Sequence, residues 1–176
     1  MASGGVMWKP FNGWSGNYDG YYRFFQDPHI IPGFADAGAH GTMFQDAAGA
    51  TFMLTHWARD RTQGKFPVEY MVKKSTKDVA ELFGLSDRGV LKPGLKADIN
   101  VMDFEKLKMR EPYLASDLPL GQQRWMQDVD GYTLTLLSGR PTFVNGTATG
   151  KLPGRLVRNP QRDATAWKGI AASVLG

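Results

Sequence analysis

The chain has 176 residues, enough for one domain with room for a small second lobe and long enough to bury a real core. Apolar residues at 42% and charged residues at 22% exclude a disordered or fibrous chain, and the absence of Cys excludes a disulfide scaffold, a thiolate metal site and a Cys nucleophile. The formal charge of +4 resides in residues 151–176, where Lys151, Arg155, Arg158, Arg162 and Lys168 stand against Asp163 alone, so no nucleic-acid partner is expected.

Residues 1–30 are rich in aromatics and Gly and read as a loop followed by a short helix near Tyr18–Gln26. His29–Ala35 is a short apolar run of strand type, and it ends in Asp36-Ala-Gly-Ala-His-Gly41, a loop of very small residues. Phe44–Arg61 reads as a helix of four to five turns whose apolar residues lie nearly all round, so it needs covering on more than one side. Pro67 suits the first position of another helix. Thr76 can N-cap a third, Lys77–Phe83, with Gly84 as its stop.

After Gly84 the pattern turns to strands. Pro93-Gly94 signals a type II turn, and Ala97–Asp103 alternates as a half-buried strand. Residues 105–130, with Pro112, Pro119 and Gly121, read as a long excursion. Tyr132–Leu137, Pro141–Val144 and Thr147–Thr149 then form a meander, with Asn145-Gly146 as a type I′ hairpin turn. Residues 1–84 thus hold one convincing strand among helices, and residues 85–158 a small β lobe. Residues 159–176 remain as a basic tail. One strand makes no sheet, so the first segment is expected to be part of something larger.

No run of about 18 apolar residues exists, so no membrane span is expected. Residues 1–10 lack the basic and apolar regions of a signal peptide, and the expected compartment is the cytoplasm. Asp36 follows a strand and opens a Gly/Ala-rich loop, as a carboxylate does at the C-terminal mouth of a parallel β/α barrel. Such a group can bind a divalent metal and move a proton; the same position also suits a turn residue. His29, His40 and His56 are the only imidazoles, with no His-x-His pair and no His-Glu-x-x-His helix. His56 lies four residues before Asp60, the spacing of a surface pair. Neither a nucleophilic Gly-x-Ser-x-Gly nor a phosphate-binding loop is present.

Pro32–His40, Leu54-Thr-His-Trp-Ala-Arg-Asp-Arg61, Phe83–Asp103 and Thr142–Arg158 together resemble the N-acyl-D-amino-acid deacylase (D-aminoacylase-like) branch of the amidohydrolase superfamily. The resemblance implies an α/β plus β fold: the last strand and helices of a (β/α)8 barrel followed by part of a small β-sandwich lobe. It places Asp36 at the metal-binding, proton-transferring carboxylate after strand 8, with Gly38 and His40 beside substrate. It implies zinc or another divalent metal in the complete enzyme and a small amide as substrate. The other metal ligands of that family lie N-terminal to everything matched here. The chain alone is therefore expected to hold no stoichiometric zinc. Its expected partner is an N-terminal barrel segment, a second chain or a second copy of itself. The rival expectation is a non-catalytic scaffold or binding module derived from the same fold.

Overall fold

The computed structural model describes residues 17–33 and 36–158. Four short α-helices come first: α1 (Asp19–Gln26), α2 (Gly49–Thr55), α3 (Val68–Ser75) and α4 (Lys77–Leu82). Helix α1 begins where the Asn17 side chain accepts the Asp19 N–H at 2.9 Å, close to the expected start. The long helix expected over 44–61 is shorter and changes character. Residues 44–48 lie outside it, and after Thr55 it widens into a π-helical turn, His56–Asp60, with Arg61 N–H reaching His56 O at 3.3 Å. Helix α3 starts at Val68, with Pro67 just outside it. Thr76 precedes α4 but does not cap it, because its hydroxyl bonds back to Val72 O at 2.8 Å. Gly84 ends α4 in the left-handed region, with Leu85 N–H on Ala80 O at 2.8 Å.

Every strand ladder among the described residues is antiparallel. The strands are β1 (Ile99–Met102), β2 (Lys108–Met109), β3 (Tyr113–Ala115), β4 (Arg124–Met126), β5 (Val129–Asp130), β6 (Tyr132–Leu137), β7 (Arg140–Val144) and β8 (Thr147–Ala148). They form a four-stranded sheet in the order β1-β6-β7-β8 and two separate two-stranded pairs, β2-β5 and β3-β4. The excursion over 105–130 therefore carries two ladders of its own. Both sharp turns of the meander use left-handed residue pairs, Ser138-Gly139 (φ +50° and +74°) and Asn145-Gly146 (φ +47° and +76°). The second is the expected type I′ turn.

The expected barrel strand is not formed among the described residues. Residues 29–33 pair with no strand among the described residues, Phe34 and Ala35 lie outside them, and the sheets are small and unclosed. A buried barrel strand is held by parallel neighbours, and none is present among the described residues. The core forms elsewhere: Met53, Leu54, Trp57, Phe66 and Met71 from the helical segment close around Leu107, which follows β1. Arg59 locks that junction by donating to the carbonyls of Phe104 (2.7 Å), Glu105 (3.2 Å) and Leu107 (2.9 Å). Tyr132 and Thr51 share a hydroxyl hydrogen bond of 3.0 Å across the same junction. Among the described residues no helix is long and apolar enough to cross a membrane.

Gly131 closes the junction from the β side. Its φ is +100°, and a Cβ there would meet Leu107 N at 2.8 Å and Cα at 2.9 Å. Gly146 has a similar φ, but a Cβ there would find open space. Gly131→Ala should therefore lower stability by about 2 kcal/mol or more, combining strain with overpacking. Gly146→Val should cost about 1 kcal/mol, from strain alone. Chemical denaturation of the two variants checks the order, and equal losses would contradict this account of the junction.

Candidate functional site

Asp36 opens a loop whose backbone is unusual. Asp36 (φ +53°), Gly38 (+84°), His40 (+52°) and Gly41 (+65°) all lie in the left-handed region. A non-glycine residue there costs roughly 1–2 kcal/mol, and Asp, Asn and His tolerate it better than most. The loop recovers part of this by bonding to itself: Ala39 N–H to Asp36 O (2.9 Å), Gly41 N–H to Gly38 O (3.1 Å) and Gly38 N–H to Phe44 O (3.2 Å). It is also gripped from outside, by Trp125 Nε1–H on Thr42 O at 2.8 Å. Asp36, Gly38 and His40, the three expected site residues, are exposed and share this loop.

The segment before the loop is fixed by a buried cation. Lys74 is 1% exposed, and its ammonium donates to the carbonyls of Asp27 (2.6 Å) and Ile30. Burial pushes its pKa down, and the Tyr70 ring lies 5.5 Å from the ammonium nitrogen. Tyr70 adds a hydrogen bond from its hydroxyl to Phe25 O at 2.7 Å. No sequence motif marks Lys74, Tyr70 or Trp125, because each bonds a distant backbone carbonyl.

The other two imidazoles are placed elsewhere. His29 is solvent-exposed and pairs its ring with Asp27 at 3.1 Å. His56 does not pair with Asp60, whose carboxylate is taken by Arg59 at 2.7 Å. Instead its ring stacks on Phe52 (4.7 Å between centroids, 10°) and meets the edges of Tyr18 and Trp57 at 5.2 and 4.9 Å. Its Nε2 is buried with no hydrogen-bond partner among the described residues. No group of three His, Asp or Glu side chains capable of holding a metal ion occurs among the described residues. Asp36 and His40 together are too few for a closed metal shell, so the described residues do not by themselves fit the metal that the resemblance implies.

Residues 24–143 match the amidohydrolase family. Among solved structures the chain is similar to a D-aminoacylase studied for the functional role of its binuclear metal centre, with one-metal activation and second-metal attenuation. The identity is 28%, the match covers 58% of this chain and 19% of that one, and the TM-score is 0.43. The chain thus spans about a fifth of that structure's length. No curated protein matches.

The aromatic cage around His56 makes stability depend on pH. Burial holds the His56 pKa below its ordinary value; the nearby Arg61 cation pushes the same way and Asp60 opposes both. The unfolded chain therefore binds a proton at His56 more readily than the folded one, and stability falls as pH drops below about 6.5. His56→Phe keeps the stack and removes the proton site. Melting temperatures from pH 7.5 to 5.5 should fall more for the wild type than for this variant, and parallel curves would show that His56 titrates freely.

Proposed function

The chain belongs to the amidohydrolase family, and on that premise we propose that it is the C-terminal part of a metal-dependent amidohydrolase. Its reaction is hydrolysis of the amide bond of an N-acyl amino acid or a similar small amide. The observation that carries this reading is Asp36, exposed at the head of a small-residue loop within the matched stretch. There its carboxylate can take a proton from the attacking water and return it to the leaving nitrogen. Gly38 has no side chain to obstruct a substrate, and a Cβ there would meet nothing, which suits a loop approached closely from outside. His40, exposed four residues on, can donate or accept a hydrogen bond at the substrate's polar end.

If a complete enzyme holds zinc or another divalent cation, that ion would supply Lewis-acid chemistry beside these groups. Ligands for it would come from a barrel segment or partner chain, since no ligand group occurs among the described residues. Exposed apolar side chains such as Leu82, Phe83, Leu91 and Leu120 are consistent with surface covered by that partner or by a second copy.

Two measurements test the reading. The purified chain alone should self-associate or bind a barrel-forming partner, carry no stoichiometric zinc and hydrolyse no N-acyl amino acid. Light scattering, metal analysis and an amidase assay on one sample report all three, and a zinc-loaded active monomer would refute the partial-enzyme reading. In the assembled enzyme Asp36→Asn should lower turnover by at least ~10²-fold. Its fold should be kept, since Asn accepts the same backbone conformation. Near-normal turnover would remove Asp36 from the site, and an assembly silent even with native Asp36 would favour a non-catalytic scaffold.

A further inference from the structure

The β3–β4 hairpin is the least anchored part of the β segment. It pairs only Tyr113–Ala115 with Arg124–Met126, forms a sheet of its own, and shows Tyr113 and Leu114 to solvent. Hairpins of two strands are marginal in water and need outside contacts. Its internal brace is ionic: Arg124 donates twice to Asp117 at 2.8 and 2.6 Å, and Gln123 reaches Ser116 at 3.3 Å.

Its far contact is the Asp36 loop, 83 residues away at the bonded pair. The indole N–H of Trp125 is that side chain's sole donor, and it is given to Thr42 O at 2.8 Å. The Trp125 backbone N–H faces Gly41 O at 3.5 Å. A Cβ on Gly41 would lie 3.3 Å from Gln123 O, a tight contact, so loop and hairpin backbones approach closely there. The partner so gripped is the stretch with two non-glycine residues in the left-handed region, a conformation that persists only where surroundings restrain it.

We propose that the β3–β4 hairpin is a strap that positions the Asp36 loop, with Trp125 as the positioning residue. The inference rests on the reading of Asp36 as the proton-transferring carboxylate only for its catalytic consequence. The strap itself is a statement about two segments and their coupling. Opening the hairpin frees the loop, and the loop's left-handed residues then relax toward ordinary backbone.

The experiment is amide hydrogen exchange on the full chain, wild type against Trp125→Phe. Phe keeps the ring and loses the donor. Exchange across residues 36–44 should rise about tenfold or more, while residues 132–144 in the four-stranded sheet stay unchanged. Unaltered exchange across 36–44 overturns the strap. If Trp125→Phe instead lowers stability as a whole, Arg124→Gln takes its place, because it cuts an exposed ion pair and loosens only the hairpin. Exchange in 36–44 should then rise with that in 113–126, and a frayed hairpin beside a protected loop overturns the proposal. In the assembled enzyme Trp125→Phe should lower kcat with KM held, and should add nothing to the loss in Asp36→Asn. A loop that responds in exchange while Asp36→Asn leaves turnover intact supports the strap and rejects the catalytic reading of Asp36.

Discussion

Leu107 is where the molecule is held together. It is 1% exposed, set among Met53, Leu54, Trp57, Phe66 and Met71, and it brings the start of the β segment into the helical core. Met102 of β1, Phe104 and Tyr132 pack against the same cluster, so the helical and β segments share one core. Burying a Leu side chain stabilises by about 2 kcal/mol. Ordering the extended chain around it requires its backbone polar groups to be met as well. Arg59 meets them. A guanidinium presents five donors in a fixed fork, and here it serves the carbonyls of residues 104, 105 and 107 while also binding Asp60.

The π turn at His56–Asp60 is what aims that fork. One extra residue in the helical turn shifts Trp57 and Arg59 relative to α2, so Trp57 points into the core while Arg59 reaches the segment after β1. His56, at the end of α2, stacks back on Phe52 four residues earlier, inside the aromatic cage rather than beside Asp60. The Asp60 carboxylate is meanwhile taken by its neighbour Arg59 at 2.7 Å, so the (i, i+4) spacing forms no pair.

What could be read from the sequence was local chemistry. Asn145-Gly146 and Gly84 announce their conformations through residue type, and Tyr132–Leu137 through alternation. The register of β6, the ladders inside residues 105–130 and the π turn depend on partners far along the chain, and propensity is silent about them. The apolar run over 29–35 shows the opposite failure. Its composition is that of a buried parallel strand, yet a strand exists only where neighbours pair with it, and residues 29–33 have none among the described residues. For the site, position and small neighbours made Asp36 a candidate without excluding a plain turn residue; the family resemblance set it apart. The positive φ values at Asp36 and His40 were invisible, because neither residue type demands them.

The groups that hold the Asp36 loop in place share one feature that sequence patterns do not encode. Lys74 donates to the carbonyls of Asp27 and Ile30 upstream of the loop, and Trp125 to that of Thr42 within it. A side chain bonded to another side chain selects its partner's type. A side chain bonded to a carbonyl accepts any residue there, so the contact leaves no mark on the partner's identity. It does fix backbone position, and backbone position is what a carboxylate on a short loop needs. Asp has a single methylene between Cα and its carboxyl carbon, so restraining the backbone nearly restrains the carboxylate. A longer Glu would need its own side-chain restraints. A short acid on a loop tied by its carbonyls therefore gains its orientation from the backbone itself.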